Sequence, residues 1–286
     1  MSKIAFISNQ LLAAAVWSAA VVWSAAVVAA ELDYPLMPPN VSYSDVLELP
    51  FNQEDGLYHY SPDANQVARL WLPAQTTTVS KLIVFIHGGC WLNEFDMSHT
   101  FALASALSQA GYAVWSLEYR RTGDEGGGWP GSFDDINAGI SYLFRVEEYG
   151  LNSAQFAIVG HSAGGHLALL AGIGFPQARS VIGLAAISDI QQYSAGDNDC
   201  ESATERFMGG SYAQLPARYD SANPKKLHIH PSTTLLHGAA DTIVSMNQSE
   251  IIGADRKIEL GAGHFDWVHP GTPAFQLLLK TLEESF

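Results

Sequence analysis

The sequence is poor in cysteine and in positive charge. Only two of its 286 residues are cysteines, too few for a fold that depends on a disulfide framework. Lysine and arginine number 14 against 29 aspartates and glutamates, so the chain has no basic stripe that could neutralise nucleic-acid phosphates. Charged residues make up only 15% of the chain and hydrophobic residues 48%, which excludes a disordered or coiled-coil protein and allows a substantial core.

Residues 1–30 have the layout of an export signal. Lys3 precedes an uncharged apolar stretch at 11–30, which ends in small residues. A tandem repeat of the hexapeptide VWSAAV lengthens this stretch from 14 to 20 residues, enough to span a bilayer. We favour a cleaved signal over a retained anchor, because alanine and serine are only weakly hydrophobic. The sequence therefore predicts an exported protein, periplasmic or secreted, with one domain at 31–286, and bound to a membrane only if 11–30 are retained.

Beyond this leader, strand-like and helix-like segments alternate. The predicted strands are 67–72, 81–86, 112–119, 155–160, 181–187, 233–236 and 257–260. The predicted helices are 98–110, 132–149, 165–171 and 273–282, whereas 31–50 and 190–231 are expected to be irregular. Strands that are apolar throughout and alternate with helices are typical of a parallel α/β sheet covered on both faces.

A serine follows the fourth predicted strand in a characteristic setting. Residues 160–164 read GHSAG, which fits the pattern G-x-S-x-G, and they lie directly between a strand and a helix. Such a sharp turn lifts the serine hydroxyl above the sheet edge and requires small neighbours. A serine hydroxyl reacts at neutral pH only when a base takes its proton and a carboxylate orients that base. Ser162 is therefore the candidate nucleophile.

The acid and the base are expected after the serine, in that order along the chain. Asp241 follows one of the last two predicted strands and His264 follows the other. Both lie where the carboxyl ends of parallel strands converge, so the sequence predicts a triad of Ser162, His264 and Asp241. Asp189 is a weaker candidate for the acid. The remaining histidines near these motifs are expected to be structural or exposed: His228, His230, His237 and His269.

The stretch VFIHGGCW, at 84–91, raises the question of why a buried strand should end in a histidine and two glycines. A plain turn would explain the glycines. Beside a serine nucleophile, however, glycines allow bare backbone N–H groups to approach the oxyanion of a tetrahedral intermediate. The sequence predicts an oxyanion hole formed by Gly88, Gly89 and Ala163. Residues 87–92 are called the glycine loop below.

Together these motifs resemble the α/β-hydrolase superfamily. They are most similar to the branch with an H-G-G-x-W loop, which includes hormone-sensitive-lipase-like esterases, feruloyl-esterase-like proteins and kynurenine formamidases. The similarity begins near Leu47 and rests on HGGCW, LEYRRTGDEGGGWPGSFDD, GHSAGGHLAL, HGAADTIV and GAGHFD, in that order. It implies a twisted, mostly parallel eight-stranded sheet flanked by helices, and hydrolysis through an acyl-enzyme with no metal or organic cofactor. In that family Glu118–Arg121 corresponds to a segment that ties down the loop after its strand.

The resemblance also sets the expected activity. A small-molecule carboxylic ester is the favoured substrate, an aryl formamide is the first alternative, and a non-catalytic extracellular binding domain is the second. An export signal disfavours the formamide, because the substrate of kynurenine formamidases is cytoplasmic. This sequence departs from the family pattern in Cys90, where glycine or tyrosine is commoner, and in having no long separate lid domain.

Two tryptophans and two cysteines leave alternatives open. Trp91 and Trp129 both follow glycine-rich segments and are predicted either to line the site or to pack loops onto the sheet. A bond between Cys90 and Cys200 would pin the segment 190–231 to the glycine loop and stabilise the fold by about 4 kcal/mol. Two unpaired thiols are nevertheless expected, because a bond requires Cα atoms within about 7 Å and nothing in the sequence brings them together.

Overall fold

An eight-stranded sheet runs through the computed structural model, which describes residues 31–286. The predicted signal or anchor at 1–30 lies outside the described residues. The strands are β1 (Gly56–His59), β2 (Val67–Trp71), β3 (Lys81–Ile86), β4 (Ala113–Leu117), β5 (Gln155–His161), β6 (Val181–Leu184), β7 (Thr233–Gly238) and β8 (Ala254–Glu259). Their order is β1-β2-β4-β3-β5-β6-β7-β8. β2 is antiparallel to both of its neighbours, and the other pairs are parallel.

Helices cover both faces of the sheet. The α-helices of the described part are α1 (Tyr43–Leu47), α2 (Phe101–Gln109), α3 (Gly131–Leu143), α4 (Ala163–Gly174), α5 (Ile190–Tyr193), α6 (Asp199–Met208), α7 (Pro216–Ser221) and α8 (Pro273–Ser285). Short 3₁₀ turns lie at Met97–Thr100, Glu148–Ser153, Pro224–Lys226, Met246–Ser249 and Phe265–Val268. In the part of the chain that the structure describes, no helix is both long enough and apolar enough to cross a membrane.

The central strands are apolar throughout because each face of the sheet has its own core. In β3, Leu82, Val84 and Ile86 belong to the core under α3 and α4. Ile83 and Phe85 point the other way, into the core under α2 and α8. This alternation with a period of two places every second side chain on the same face. The predicted, mostly parallel eight-stranded sheet flanked by helices is therefore confirmed, and residues 31–286 show no large lid.

The structure corrects the sequence predictions at the periphery. The first strand, β1, was not predicted, since it is a short edge strand with a half-exposed face. The lead-in at 31–50, expected to be irregular, contains the one-turn helix α1. The segment 190–231, also expected to be irregular, contains α5, α6 and α7. Helix α6 begins with a capping box formed by Asn198 and Glu201, but it is too short and polar to give a sustained period.

Candidate active site

Ser162 occupies a sharp turn between β5 and α4. Its backbone has φ 56° and ψ −122°, a conformation that costs a residue other than glycine about 1–3 kcal/mol. The neighbouring glycines are required by space. A Cβ at Gly160 would lie 2.2 Å from the carbonyl oxygen of Gly164, and a Cβ at Gly164 would lie 2.2 Å from that of His87. The G-x-S-x-G spacing therefore reflects two close backbone contacts around a strained serine.

His264 is oriented by Asp241. The Nδ1–H of His264 donates to Oδ2 of Asp241 at 2.8 Å, which leaves Nε2 as the basic nitrogen of the neutral ring. The other carboxylate oxygen accepts the backbone N–H groups of Ile243 and Val244, at 2.8 and 2.9 Å. Burial alone would raise the pKa of Asp241, but the adjacent histidine and these backbone donors outweigh burial and lower it. Asp241 therefore stays ionised beside the histidine.

Ser162 and His264 line the same cavity, whose volume is about 690 Å³. Its walls are mostly apolar, and the apolar side chains that line it include Leu92, Phe95, Ala203, Ile243 and Phe265. Asn198, Ser202 and Arg206 from α6 and its N-cap supply polar groups. A cavity of this kind, with mostly apolar walls, several polar groups and one candidate nucleophile, is suited to a small organic substrate.

The glycine loop lies directly against the serine. A Cβ at Gly88 would be 2.9 Å from Cβ of Ser162, and a Cβ at Gly89, where φ is 108°, would be 2.5 Å from Cβ of Phe95. Ala163 is the first residue of α4, so its N–H has no partner within the helix. The structure thus gathers the three residues predicted to supply oxyanion donors around the serine.

A hydrogen-bonded chain holds the glycine loop. Nδ1–H of His87 donates to the carbonyl of Gly88 at 2.8 Å, and Nε2 lies 2.9 Å from Oε1 of Glu118. Because a peptide is planar and trans, fixing the Gly88 carbonyl also fixes the opposite direction of the Gly89 N–H. Arg121 forms an ion pair with Glu118 at 3.2 Å. The expectation for Glu118–Arg121 concerned the loop after its own strand, and the contacts in that loop are others: the backbone N–H of Arg121 donates to Asp124, and Arg120 pairs with Asp135.

The two cysteines form a disulfide, with Cα atoms 5.0 Å apart. The expectation of two unpaired thiols is therefore wrong. Cys200 lies in the first turn of α6, and that helix packs over the glycine loop at the carboxyl edge of the sheet. The cysteines are 110 residues apart in sequence, so only the folding of α6 against the loop brings them together.

For Trp91 and Trp129 the structure favours the second of the two alternatives, in which they pack loops onto the sheet rather than line the site. The indole of Trp91 is completely buried and stacks on Phe207 of α6, with ring centroids 4.7 Å apart. Trp129 is half-buried and stacks on Phe133 at 5.3 Å. Neither belongs to the lining of the 690 Å³ cavity. Both tryptophans therefore pack loops, which was the alternative.

Asp189 is not the acid. Its Oδ1 accepts N–H groups from the backbone of Gln192 and the amide of Asn223, so it caps α5. As expected, the four other histidines are structural or exposed. His237 bonds to the carbonyl of Val244, His230 and His269 are buried, and His228 is exposed.

Three residues that line the cavity were not predicted from the sequence. His161 donates from Nε2 to the carbonyl of His264 at 2.9 Å, and His99 and Tyr43 line the cavity beside it. Adjacency to Ser162 was the only available signal for His161. Tyr43 lies on α1, in the segment expected to be irregular, so no motif pointed to it.

Asp266 was also missed, although it is only two residues from His264. Its buried carboxylate accepts backbone N–H groups from Asn40 at 2.8 and 2.9 Å, Val41 at 3.2 Å and Gly263 at 3.0 Å. This carboxylate therefore joins the loop that carries His264 to the N-terminal segment that carries α1. Within residues 31–286, no group of three or more histidine, cysteine, aspartate or glutamate side chains is arranged to hold a metal ion.

Comparison with known proteins finds one matching family model and several similar esterases. The BD-FAE family model matches residues 69–255, more than half of the chain. Esterase LipC of Mycobacterium tuberculosis (strain ATCC 25618 / H37Rv) is 28% identical over 210 residues, which are 66% of this chain and 52% of LipC. Esterase LipQ of the same organism is 25% identical over 191 residues, 60% of this chain and 45% of LipQ. The chain thus spans about half the length of these curated relatives.

Solved structures share the fold at lower sequence identity. A truncated carbohydrate esterase from gut microbiota superposes with a TM-score of 0.68 at 20% identity, covering 82% of this chain and 97% of the other. Esterase B from Lactobacillus rhamnosis superposes with a TM-score of 0.66 at 18% identity, covering 85% and 89%. These similarities extend over most of the described sheet and its helices.

Proposed function

Because this chain belongs to the BD-FAE family, we propose that it is a serine hydrolase that cleaves carboxylic esters of small molecules. One observation carries the proposal: His264, oriented by a 2.8 Å hydrogen bond to Asp241, lines the same cavity as the strained Ser162. The esterase names of the curated relatives support the same reaction. The disulfide supports our further proposal that the protein is exported, because disulfides persist in oxidising compartments.

In the proposed mechanism Oγ of Ser162 attacks the ester carbonyl while Nε2 of His264 takes the hydroxyl proton. Asp241 stabilises the imidazolium that forms. The oxyanion accepts hydrogen bonds from the N–H groups of Ala163 and the glycine loop, and each such donor contributes about 3 kcal/mol to transition-state stabilisation. His264 then passes its proton to the leaving alcohol as the C–O bond breaks. A water molecule, activated in the same way, hydrolyses the acyl-enzyme and regenerates the serine.

An aryl formamide is the alternative substrate, since the H-G-G-x-W loop also occurs in kynurenine formamidases. The proposed export favours an ester instead. A role as a non-catalytic binding domain is disfavoured, because Ser162 and His264 line one cavity, Asp241 is hydrogen-bonded to His264, and the glycine loop lies against Ser162.

The test is a comparison of Ser162→Ala with the wild type, using short and aromatic p-nitrophenyl esters, an aryl formamide and a fluorophosphonate probe. The wild type should hydrolyse an ester and be labelled, and Ser162→Ala should lose both properties while keeping its circular dichroism spectrum. Asp241→Asn should lower kcat by about 10⁴-fold. Asp189→Asn is the matched control, because it removes a carboxylate that does not contact His264, and it should retain activity. Unchanged labelling of Ser162→Ala would exclude this nucleophile, and a far faster formamide reaction would reverse the preference for esters.

A further inference from the structure

We infer that helix α6 is a clamp that holds the glycine loop in the conformation needed to bind an oxyanion, with Cys200 and Phe207 as positioning residues. The inference rests on the proposed function, because an oxyanion forms only if Ser162 attacks an acyl group. It assigns a role in the reaction to the disulfide and to a helix that no motif marks. The observations that carry it are the backbone of the glycine loop and the contacts that α6 makes with it.

The glycine loop makes a turn that its own residues disfavour. The N–H of Leu92 donates to the carbonyl of Gly89 at 2.9 Å, which closes a four-residue turn. The two central residues, Cys90 and Trp91, have φ angles of 53° and 58°. Turns with positive φ at both central positions are normally built from glycine, asparagine or aspartate, and a bulky side chain there is an outlier. Such a conformation persists only where the surrounding structure enforces it.

One face of α6 contacts both strained residues. Cys200 is bonded to Cys90, and the ring of Phe207 stacks on Trp91 with an interplanar angle of 11°. Cys200 and Phe207 are seven residues apart, which is two helical turns, so both lie on the same face. Ala203, between them, packs with Cys90 in a small apolar cluster. The helix therefore holds the turn at two consecutive residues, Cys90 and Trp91.

The clamp is itself anchored to the loop that carries Asp241. The N-cap residue Asn198 donates from its side chain to the carbonyl of Ile243 at 3.1 Å, and the N–H of Ile243 donates to Asp241. At the other end of α6, the carbonyl of Phe207 accepts the N–H of Trp129 at 2.8 Å. Helix α6 thus spans from the loop of the proposed acid to the glycine loop and sets the position of one relative to the other.

Release of this clamp should affect the transition state more than the ground state. The peptide between Gly88 and Gly89 lies against Ser162 and is held by the His87 hydrogen bond on one side and by the strained turn on the other. Relaxation of the turn would leave that single bond to resist a rotation of the Gly89 N–H away from the developing oxyanion. A substrate carbonyl, which carries less charge, depends less on that donor. If the disulfide acted only as a covalent staple, its removal would lower the melting temperature and leave oxyanion binding intact at assay temperature.

The test uses Cys200→Ala in the full chain, with Phe207→Leu as a second variant that keeps the disulfide. For each we would measure kcat and KM for an ester, and inhibition by a trifluoromethyl ketone and by the matching methyl ketone. Only the trifluoromethyl ketone forms a stable tetrahedral adduct on a serine. Cys200→Ala should lose about tenfold or more in kcat and in affinity for the trifluoromethyl ketone, with little change for the methyl ketone. Phe207→Leu should show the same pattern to a smaller extent.

Two further measurements separate a clamp from general stability. Hydrogen exchange of the amides in 88–92 should accelerate in both variants relative to the wild type. Leu278→Ala is the control, because it opens a cavity in the core on the opposite face of the sheet, under α8, and should lower the melting temperature without lowering kcat. The inference is overturned if Cys200→Ala binds the trifluoromethyl ketone like the wild type, or if Leu278→Ala loses kcat equally. Should the wild type fail to react with any ester or phosphonate, the proposed function fails, and hydrogen exchange alone still decides whether α6 restrains the loop.

Discussion

Acidification from pH 7 to pH 4.5 should destabilise the protein through two buried histidines. Burial lowers the pKa of His99 to about 4, with the neighbouring His87 adding to the effect, and burial likewise lowers the pKa of His166 to about 4. In the unfolded chain a histidine titrates near 6.5. Between pH 6.5 and 4 the unfolded state therefore binds more protons than the folded state, so the free energy of unfolding falls as the pH falls.

The expected loss is large. Each histidine contributes up to about 1.4 kcal/mol per pH unit inside this window, which gives about 2.5 kcal/mol at pH 4.5 and about 5 kcal/mol for the pair. A typical free energy of unfolding is about 5–15 kcal/mol, so the loss would be a substantial fraction of it. The lowered pKa values of Glu118 and Asp241 act at lower pH. These two carboxylates stabilise the folded state fully above the carboxyl pKa of the unfolded chain, and this contribution disappears as the pH falls through their lower pKa in the folded state.

The assay is urea unfolding followed by tryptophan fluorescence at pH 7 and pH 4.5. In His166→Gln an amide replaces the imidazole that donates to the backbone carbonyl of Ala222, and in His99→Asn an amide replaces the imidazole that donates to the backbone carbonyl of Asp96. The loss between the two pH values should be smaller by about 2.5 kcal/mol in each variant. Ser116→Ala, which alters a buried polar residue that does not titrate, should keep the wild-type loss. If both histidine variants lose as much stability as the wild type, burial of these rings is not the cause.

Three further outcomes are expected. Gly164→Ala should fail to fold or should melt far below the wild type, because its Cβ would lie 2.2 Å from two backbone oxygens; a melting temperature close to wild type would refute the close contact. Asp266→Ala should lose about 1–3 kcal/mol for each buried N–H left without an acceptor and should lower kcat, as measured by urea unfolding and ester hydrolysis; unchanged stability would contradict this role. Trp129→Leu should lower the melting temperature while KM for p-nitrophenyl esters stays constant, and a marked rise in KM would restore this residue to the substrate site.

Some features of the fold could be predicted from the sequence because a local pattern of residues marks each of them. The apolar run of β3 identifies a strand buried on both faces, since its side chains alternate between two cores. The G-x-S-x-G pattern identifies the turn at Ser162, since the glycines are needed by backbone atoms within four residues or on the adjacent strand. The order of Asp241 and His264 follows from the order of the parallel strands that carry them.

Long-range contacts could not be predicted, because nothing in a local pattern encodes the distance between segments far apart in the chain. Helix α6 is short and polar, and its role becomes visible only when Cys200 and Phe207 meet the glycine loop. Trp91 follows a motif of the site, yet its indole is buried against Phe207, which belongs to a distant segment of the chain. The carboxylate of Asp266 accepts hydrogen bonds from the backbone of Val41 and Asn40, which are 225 and 226 residues away in the chain. Local periodicity therefore determined the strands, the turn and the order of the proposed triad, whereas packing across the carboxyl edge of the sheet decided which side chains surround it.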